Sequence, residues 1–331
     1  MSNLIFLDRY FKNYSDGVRK KIISPNPLHG PNSRYYGCYY LSNLEGVDYF
    51  LKISRDEKIT YNMYAELVAE QLASIVNLKT IDSSIALINL STTKKPNYKN
   101  CLISKDYRKT GYDIYTNKEI VLEYLESLEK DNLLEKVVGV MKVEDLYEDN
   151  NYNNINNLSM IWNAYLYHYK DYPNCNDIVE NKVMEQVRRY IFRFLIMDKD
   201  YHLENSEELD NYSMGISEMS PIYDLEESFS RDFVEKNNSQ KMETDMIEDP
   251  YEDFENFIKY SDKFYCELAY NMYKLLDNET LFNAIEIVNR NKNVDIPYHF
   301  EEEMLDVYKN HYEKVGNILE KYYIEDNSRR R

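Results

Sequence analysis

Short runs of strand character are concentrated in the first third of this chain, and stretches of helical periodicity fill most of the rest. That order restricts the fold to a small β-rich part followed by a larger helical one. "NLIFL" (Asn3–Leu7), "RYYGCYYL" (Arg34–Leu41) and "VDYFLKIS" (Val47–Ser54) are strand-like runs broken by Gly, Pro and Asn turns, and "SNLEG" joins the last two as a hairpin. In "YNMYAELVAEQLASIVNL" Met63, Leu67, Leu72, Ile75 and Val76 recur at helical spacing with Ala65, Ala69 and Ala73. "SIALINL" and "YKNCLISKDY" follow as two more strands.

After Thr116 the pattern is helical over Lys118–Lys130, Leu158–Tyr169 and Ile178–Met197, and again in "EDFENFIKYSDKFYCELAYNMYKLL" and "HFEEEMLDVYKNHYEKVGNILEKYY". "EDNNYNNINN" (Glu148–Asn157) is a polar surface loop by composition. The expected architecture is α+β and bilobal: a small β-rich N-lobe with one helix over residues 1–105, and a larger, mainly helical C-lobe over 106–331.

Composition excludes several partners. A net charge of -18 repels nucleic acid and anionic lipid, which attract proteins through Lys and Arg, so neither nucleic acid nor a membrane is an expected partner. Cys38, Cys101, Cys175 and Cys266 lie far apart without a CxxC pair, which fits a reducing cytoplasm better than a zinc ribbon or a disulfide framework. With only 8 Gly in 331 residues, a phosphate-binding loop has to be built from little glycine.

The chemistry concentrates in "LIMDKDYHLENSEEL" (Leu195–Leu209). Asp200 and Asn205 have the spacing in which an Asp takes the proton of an incoming hydroxyl and an Asn five residues later turns back to hold a metal. Asp, His and Asn at a helix end also form ordinary caps. Downstream, "SPIYDL" places Asp224 where a main Mg2+ ligand would lie, at the end of a short hairpin expected from the alternation of Tyr212–Met219. Upstream, Lys52 interrupts an apolar strand; in bilobal kinases such a lysine meets the nucleotide phosphates and pairs with a Glu of the next helix. Glu66 is the expected partner and Glu70, one turn on, the reserve. "LHGPNSRYYG" offers Ser33 and Arg34 as a phosphate loop, and the same residues make a plain turn. A metallohydrolase on Asp198, Asp200 and His202 is a rival reading, though His29, His168, His299 and His311 show no clustered spacing.

"YFLK", "AELVAEQLA", "DYHLEN" and "PIYDL", in that order, resemble the HipA-like protein kinases, and the loop also resembles the DRHxxN loop of phosphatidylinositol 3- and 4-kinases. The resemblance runs from about Gly30 to Ser228. It implies a serine/threonine kinase using ATP and Mg2+, with Lys52 on the phosphates, Asp200 as base, His202 bracing the loop, and Asn205 with Asp224 on the metal. It places the backbone near Ile103 to Lys105 against adenine. It further implies a protein acceptor, the chain itself included, and a regulatory or antitoxin-like partner, in the short, cell-translocating type of the family. Asp198 and Glu204 depart from the family pattern and add negative charge beside the nucleotide. Two other readings are a small-molecule or inositol-lipid kinase on the same fold, and a catalytically weak kinase-like interaction module. Ser230–Pro250, with Ser230, Ser239 and Thr244, stands where an activation segment would stand, and reads equally as an exposed loop.

Overall fold

The computed structural model describes the backbone and most side chains of residues 59–89, 98–105, 107, 111–143, 158–199, 205–234, 249–290 and 296–328; of strands 35–44 and 47–54 it describes the backbone and the Lys52 side chain. The expected strand at Asn3–Leu7, the Glu148–Asn157 loop, and Ser239 and Thr244 lie outside the described residues. The chain separates into two compact units. One holds Met1–Tyr107, Asp224–Phe229 and Leu276–Lys309, and the other Arg108–Tyr223, Ser230–Leu275 and Asn310–Arg331.

In the first unit β1 (Tyr35–Leu44) and β2 (Val47–Ser54) form the antiparallel hairpin that the "SNLEG" turn predicts, closing at Leu44 opposite Val47. Helix α1 (Tyr61–Ile75) follows, then β3 (Ser84–Asn89) and β4 (Tyr98–Lys105), giving an antiparallel sheet of order β1-β2-β4-β3. Thr60 starts α1 by accepting a hydrogen bond from the Met63 N–H at 3.3 Å. At its other end Asn77 takes the left-handed conformation, φ 57°, and donates to Ser74 while Leu78 donates to Ala73. This is a Schellman ending made with Asn where most helices use Gly. Ala65, Ala69 and Ala73 are fully buried, so α1 can be covered closely on several sides, and two carboxylates, Glu66 and Glu70, are buried with it.

In the second unit β5 (Asp113–Thr116) leads into α2 (Asn117–Lys130) through a capping box. The Thr116 hydroxyl accepts from the Glu119 N–H, and the Glu119 carboxylate accepts from the Thr116 N–H at 2.7 Å. After the short α3 (Leu134–Val138), helices α4 (Leu158–His168) and α5 (Cys175–Leu195) pack with α2 around Ile120, Leu125, Ile161, Ala164, Val179 and Val183. Strands β6 (Glu207–Asn211) and β7 (Ile216–Met219) complete a second antiparallel sheet, β5-β6-β7.

That hairpin corrects the sequence expectation. Tyr212–Met214 is the 3-10 turn between the strands, closed by Gly215 at φ 64°, and the first strand is Glu207–Asn211. Acidic residues concealed it. Glu208 is buried against Lys182 and the Tyr165 hydroxyl, and Asp210 against His168, Tyr169 and Ser217, so carboxylates stand where an alternating strand would show apolar side chains.

The later helices are α6 (Arg231–Val234), α7 (Pro250–Tyr260), α8 (Lys263–Leu275), α9 (Asn278–Asn289) and α10 (Tyr298–Ser328). In the second unit Phe194 stacks on Phe254 with ring centres 3.9 Å apart, and Phe233, Tyr251 and His311 close around them. Burial holds His311 down at about 3, so it packs there as a neutral aromatic. In the first unit α9 packs on α1, where the Tyr64 hydroxyl donates to Asn289 and Asn289 donates to Glu301. Among the described residues no helix is long and apolar enough to cross a membrane.

Glu70 supplies a test of this packing. Its carboxylate accepts from the Ser83 N–H at 2.7 Å, and burial pushes it up to about 7, against the partial relief of that hydrogen bond. The folded state therefore favours the protonated form. Its advantage is complete below the usual carboxylate range and is lost as pH rises through about 7, roughly 3 kcal/mol across the window. Glu70→Gln keeps an oxygen for Ser83 and cannot ionise. Denaturant unfolding should show the variant gaining on wild type from pH 5 to pH 8; a pH-independent difference would contradict the assignment.

Candidate active site

Lys52 stands in β2 opposite Leu102 of β4 and Cys38 of β1, in the interior of the first sheet. Its side chain is 17% exposed, and its ammonium meets three carboxylates: Asp224 at 2.5 Å, Glu226 at 2.9 Å and Glu66 at 3.1 Å. Glu66 projects from the second turn of α1 and is fully buried. Burial pushes it up to about 8, with Glu226, Asp224 and Glu70 adding to the rise and Lys52 opposing it. Glu70 turns instead to the Ser83 backbone, which separates the two candidates for the lysine's helix partner.

The segment carrying Asp224 and Glu226 is fastened to α1. Asn62 donates to Glu227 at 3.1 Å, and the Tyr61 hydroxyl donates to the Phe229 carbonyl at 3.3 Å. Leu225, between the two carboxylates, is fully buried. Both Asp224 and Phe229 take left-handed backbone conformations, φ 59° and 56°. Asp tolerates that region and Phe does not, so the packing around the segment holds Phe229 in a conformation costing on the order of 1–3 kcal/mol.

The donor set fits a divalent cation carried by nucleotide. Among the described residues the Lys52 ammonium faces the carboxylates of Asp224, Glu226 and Glu66, and Mg2+ in nucleotide sites takes one or two carboxylates with phosphate oxygens completing its shell. Asp224 and Glu226 supply two carboxylates on one turn. Among the described residues no three His, Cys, Asp or Glu side chains form a ready-made metal cage, and a nucleotide-borne cation does not require one.

Ile103 is buried in β4. The ladder with β3 ends at Ser84 opposite Ile103, whereas that with β2 continues to Tyr49 opposite Lys105. The backbone of Ser104 and Lys105 thus runs beyond the β3 register.

In the second unit the acidic stretch begins from a second Schellman ending. Met197 has φ 56° and donates to Phe194, and Asp198 donates to Arg193. Asp198 is buried and ion-paired with Arg193, whose other nitrogen donates to the Tyr223 carbonyl at 2.6 Å. Its charge is therefore met by an arginine of its own helix end. The extra negative charge that the sequence shows at Asp198 is thus set against an arginine.

Asn205 is buried, and Ser206 after it is fixed on two sides. Its hydroxyl accepts from Arg189 at 2.9 Å and Gln186 at 3.1 Å, and its carbonyl accepts from the Asn117 N–H at 3.0 Å. Arg189 also donates to the Ser220 carbonyl. Asp200, His202, Glu204, Ser33, Arg34 and the Lys105 side chain lie outside the described residues.

Glu226, Arg189 and Arg193 escaped the sequence reading. Arg189 and Arg193 share a face of α5 with Lys182 and Gln186, four buried polar side chains at helical spacing, and that periodicity was the available signal. For Glu226 the signal was a second carboxylate two residues beyond Asp224.

The chain matches no protein-family model and no curated protein. Among solved structures it is similar to a Helicobacter pylori proinflammatory kinase, CtkA, at 14% identity and TM-score 0.57, over 92% of this chain and 96% of that one. HipA of a Shewanella oneidensis MR-1 toxin–antitoxin system, solved with HipB and operator DNA, aligns at 12% identity and TM-score 0.48, over 91% and 66%. A Golgi casein kinase aligns at 13% identity and TM-score 0.44, over 97% and 83%. The first of these establishes the fold: bilobal, α+β and protein-kinase-like.

Proposed function

We propose that this chain is an ATP- and Mg2+-dependent serine/threonine protein kinase of the HipA-like type, moving the γ-phosphoryl group of ATP to a protein hydroxyl. The observation that carries this reading is Lys52 of β2 paired with Glu66 of α1 and with Asp224, three residues far apart in sequence, in a chain of kinase-like fold. Among the described residues no other grouping combines a partly buried lysine with three carboxylates.

In this reading Glu66 orients the Lys52 ammonium toward the α- and β-phosphates, and the backbone at Ile103 to Lys105 takes adenine. Ser33 and Arg34 contribute to the phosphate loop. Asp224 and Asn205 are the residues that would hold Mg2+, which offsets charge on the transferring phosphoryl group. Asp200 accepts the proton of the acceptor hydroxyl as its oxygen bonds to phosphorus. The bond from the γ-phosphorus to the β–γ bridging oxygen breaks and ADP leaves with that electron pair. His202 braces the loop, and Arg193 and Ser206 fix its two ends. The acceptor is a protein in a reducing cytoplasm, the chain itself included, and a regulatory, antitoxin-like protein is a fitting partner.

Incubation with γ-labelled ATP and Mg2+ tests the proposal. Label should enter the chain or a generic protein acceptor, and Asp200→Ala, retaining its unfolding midpoint, should incorporate none. Equal labelling by that variant removes Asp200 as base. A wild-type chain that neither transfers label nor melts at a higher temperature with ATP and Mg2+ is an interaction module instead.

A further inference from the structure

We infer that Glu226 is the residue that makes nucleotide binding depend on a divalent cation, by holding Lys52 when no cation is bound and ligating the cation beside Asp224 when one is. This rests on the nucleotide-binding reading above and concerns a residue that reading does not use.

The geometry places the Glu226 carboxylate 2.9 Å from the Lys52 ammonium, with its side chain only 15% exposed. Asp224, at 2.5 Å, approaches the same ammonium. The turn is not free to swing away, since Asn62 and Tyr61 of α1 hold Glu227 and Phe229. A second observation is a buried polar atom left unmet in the cluster: Glu66 gives one oxygen to Lys52, while its other oxygen, fully buried, has no hydrogen-bond partner among the described residues.

A phosphate group reaching Lys52 in this arrangement meets two carboxylates that already occupy the ammonium and repel it. A divalent cation on Asp224 and Glu226 reverses the local charge, releases the ammonium, and offers the phosphates a positive site. Cation and nucleotide therefore each strengthen the binding of the other, and such a coupling is reciprocal. An Asp224 carboxylate alone would give a smaller effect, because one anion would oppose the phosphate in the absence of cation and one fewer would hold the cation.

Calorimetric titration of the full chain tests this without a catalytic readout. ADP is titrated in EDTA and then in excess Mg2+, and Mn2+ is titrated alone. In Glu226→Gln and Glu226→Ala, affinity for ADP in EDTA should rise, affinity for Mn2+ alone should fall, and the Mg2+ enhancement of ADP binding should drop by about tenfold, within the usual range of site-to-site coupling. Glu227→Gln, which removes the same charge one residue away and keeps a side-chain oxygen to accept from Asn62, should leave the enhancement unchanged. An enhancement equal to wild type in both Glu226 variants, or an equal loss in Glu227→Gln, overturns the inference while leaving the kinase reading in place. A wild-type chain that binds no ADP under either condition overturns both.

Discussion

Asp224→Asn should reduce phosphoryl transfer by at least about a thousandfold while leaving the fold intact, the scale seen when one preorganised electrostatic group is removed from a transferring charge. The substitution is chosen for its backbone. Asp224 sits at φ 59°, and Asn is the side chain that tolerates that region as well as Asp does, so the turn from Asp224 to Phe229 keeps its conformation. The amide has the carboxylate's shape and none of its charge. Lys52 keeps Glu66 and Glu226 as partners, and one anion fewer crowds the ammonium, so the unfolding midpoint should hold or rise. Asp224→Ala would confound the result, since an alanine in the left-handed region adds backbone strain to the lost charge. Labelled-ATP transfer and denaturant unfolding, measured on the same preparation, separate the two effects. Transfer within tenfold of wild type would remove Asp224 from the chemistry.

Lys52, Glu66 and Asp224 were legible in sequence because each breaks a local pattern: a lysine inside an apolar strand, a glutamate within an alanine-rich helix, an aspartate after "SPIY". The helices of the second unit were legible for the usual reason, that a buried face imposes its period on the sequence. What escaped notice is buried polar structure. Glu208 and Asp210 make β6 look like an acidic loop until Lys182, Tyr165, His168 and Tyr169 are known to face them, and those partners lie 26 or more residues earlier in the chain. Asp198 reads as surplus charge until Arg193 is placed against it. The return of residues 276–309 to the first unit was hidden for a different reason: the amphipathic pattern of α9 shows which face is buried but not that α1 covers it.

Arg193 is the residue whose loss should cost most in stability. It is almost fully buried, pairs with the equally buried Asp198, and donates to the Tyr223 carbonyl immediately before Asp224. Arg193→Met fills a similar volume but strands the Asp198 carboxylate without its cation, an arrangement that costs roughly 3–5 kcal/mol. Asp198 cannot relieve this by moving into water, because the Schellman ending fixes its backbone through the Arg193 carbonyl. Adding Asp198→Leu to Arg193→Met removes the stranded charge, so the double variant should recover most of the loss, with about 1 kcal/mol remaining for the undonated Tyr223 carbonyl. That recovery also decides what Asp198 does. If the carboxylate only balances Arg193, the double variant regains stability and still binds ADP with Mg2+. If Asp198 holds the cation, stability returns and nucleotide binding does not. Denaturant unfolding and ADP titration of the single and double variants distinguish the two, and the buried ion pair predicts the first.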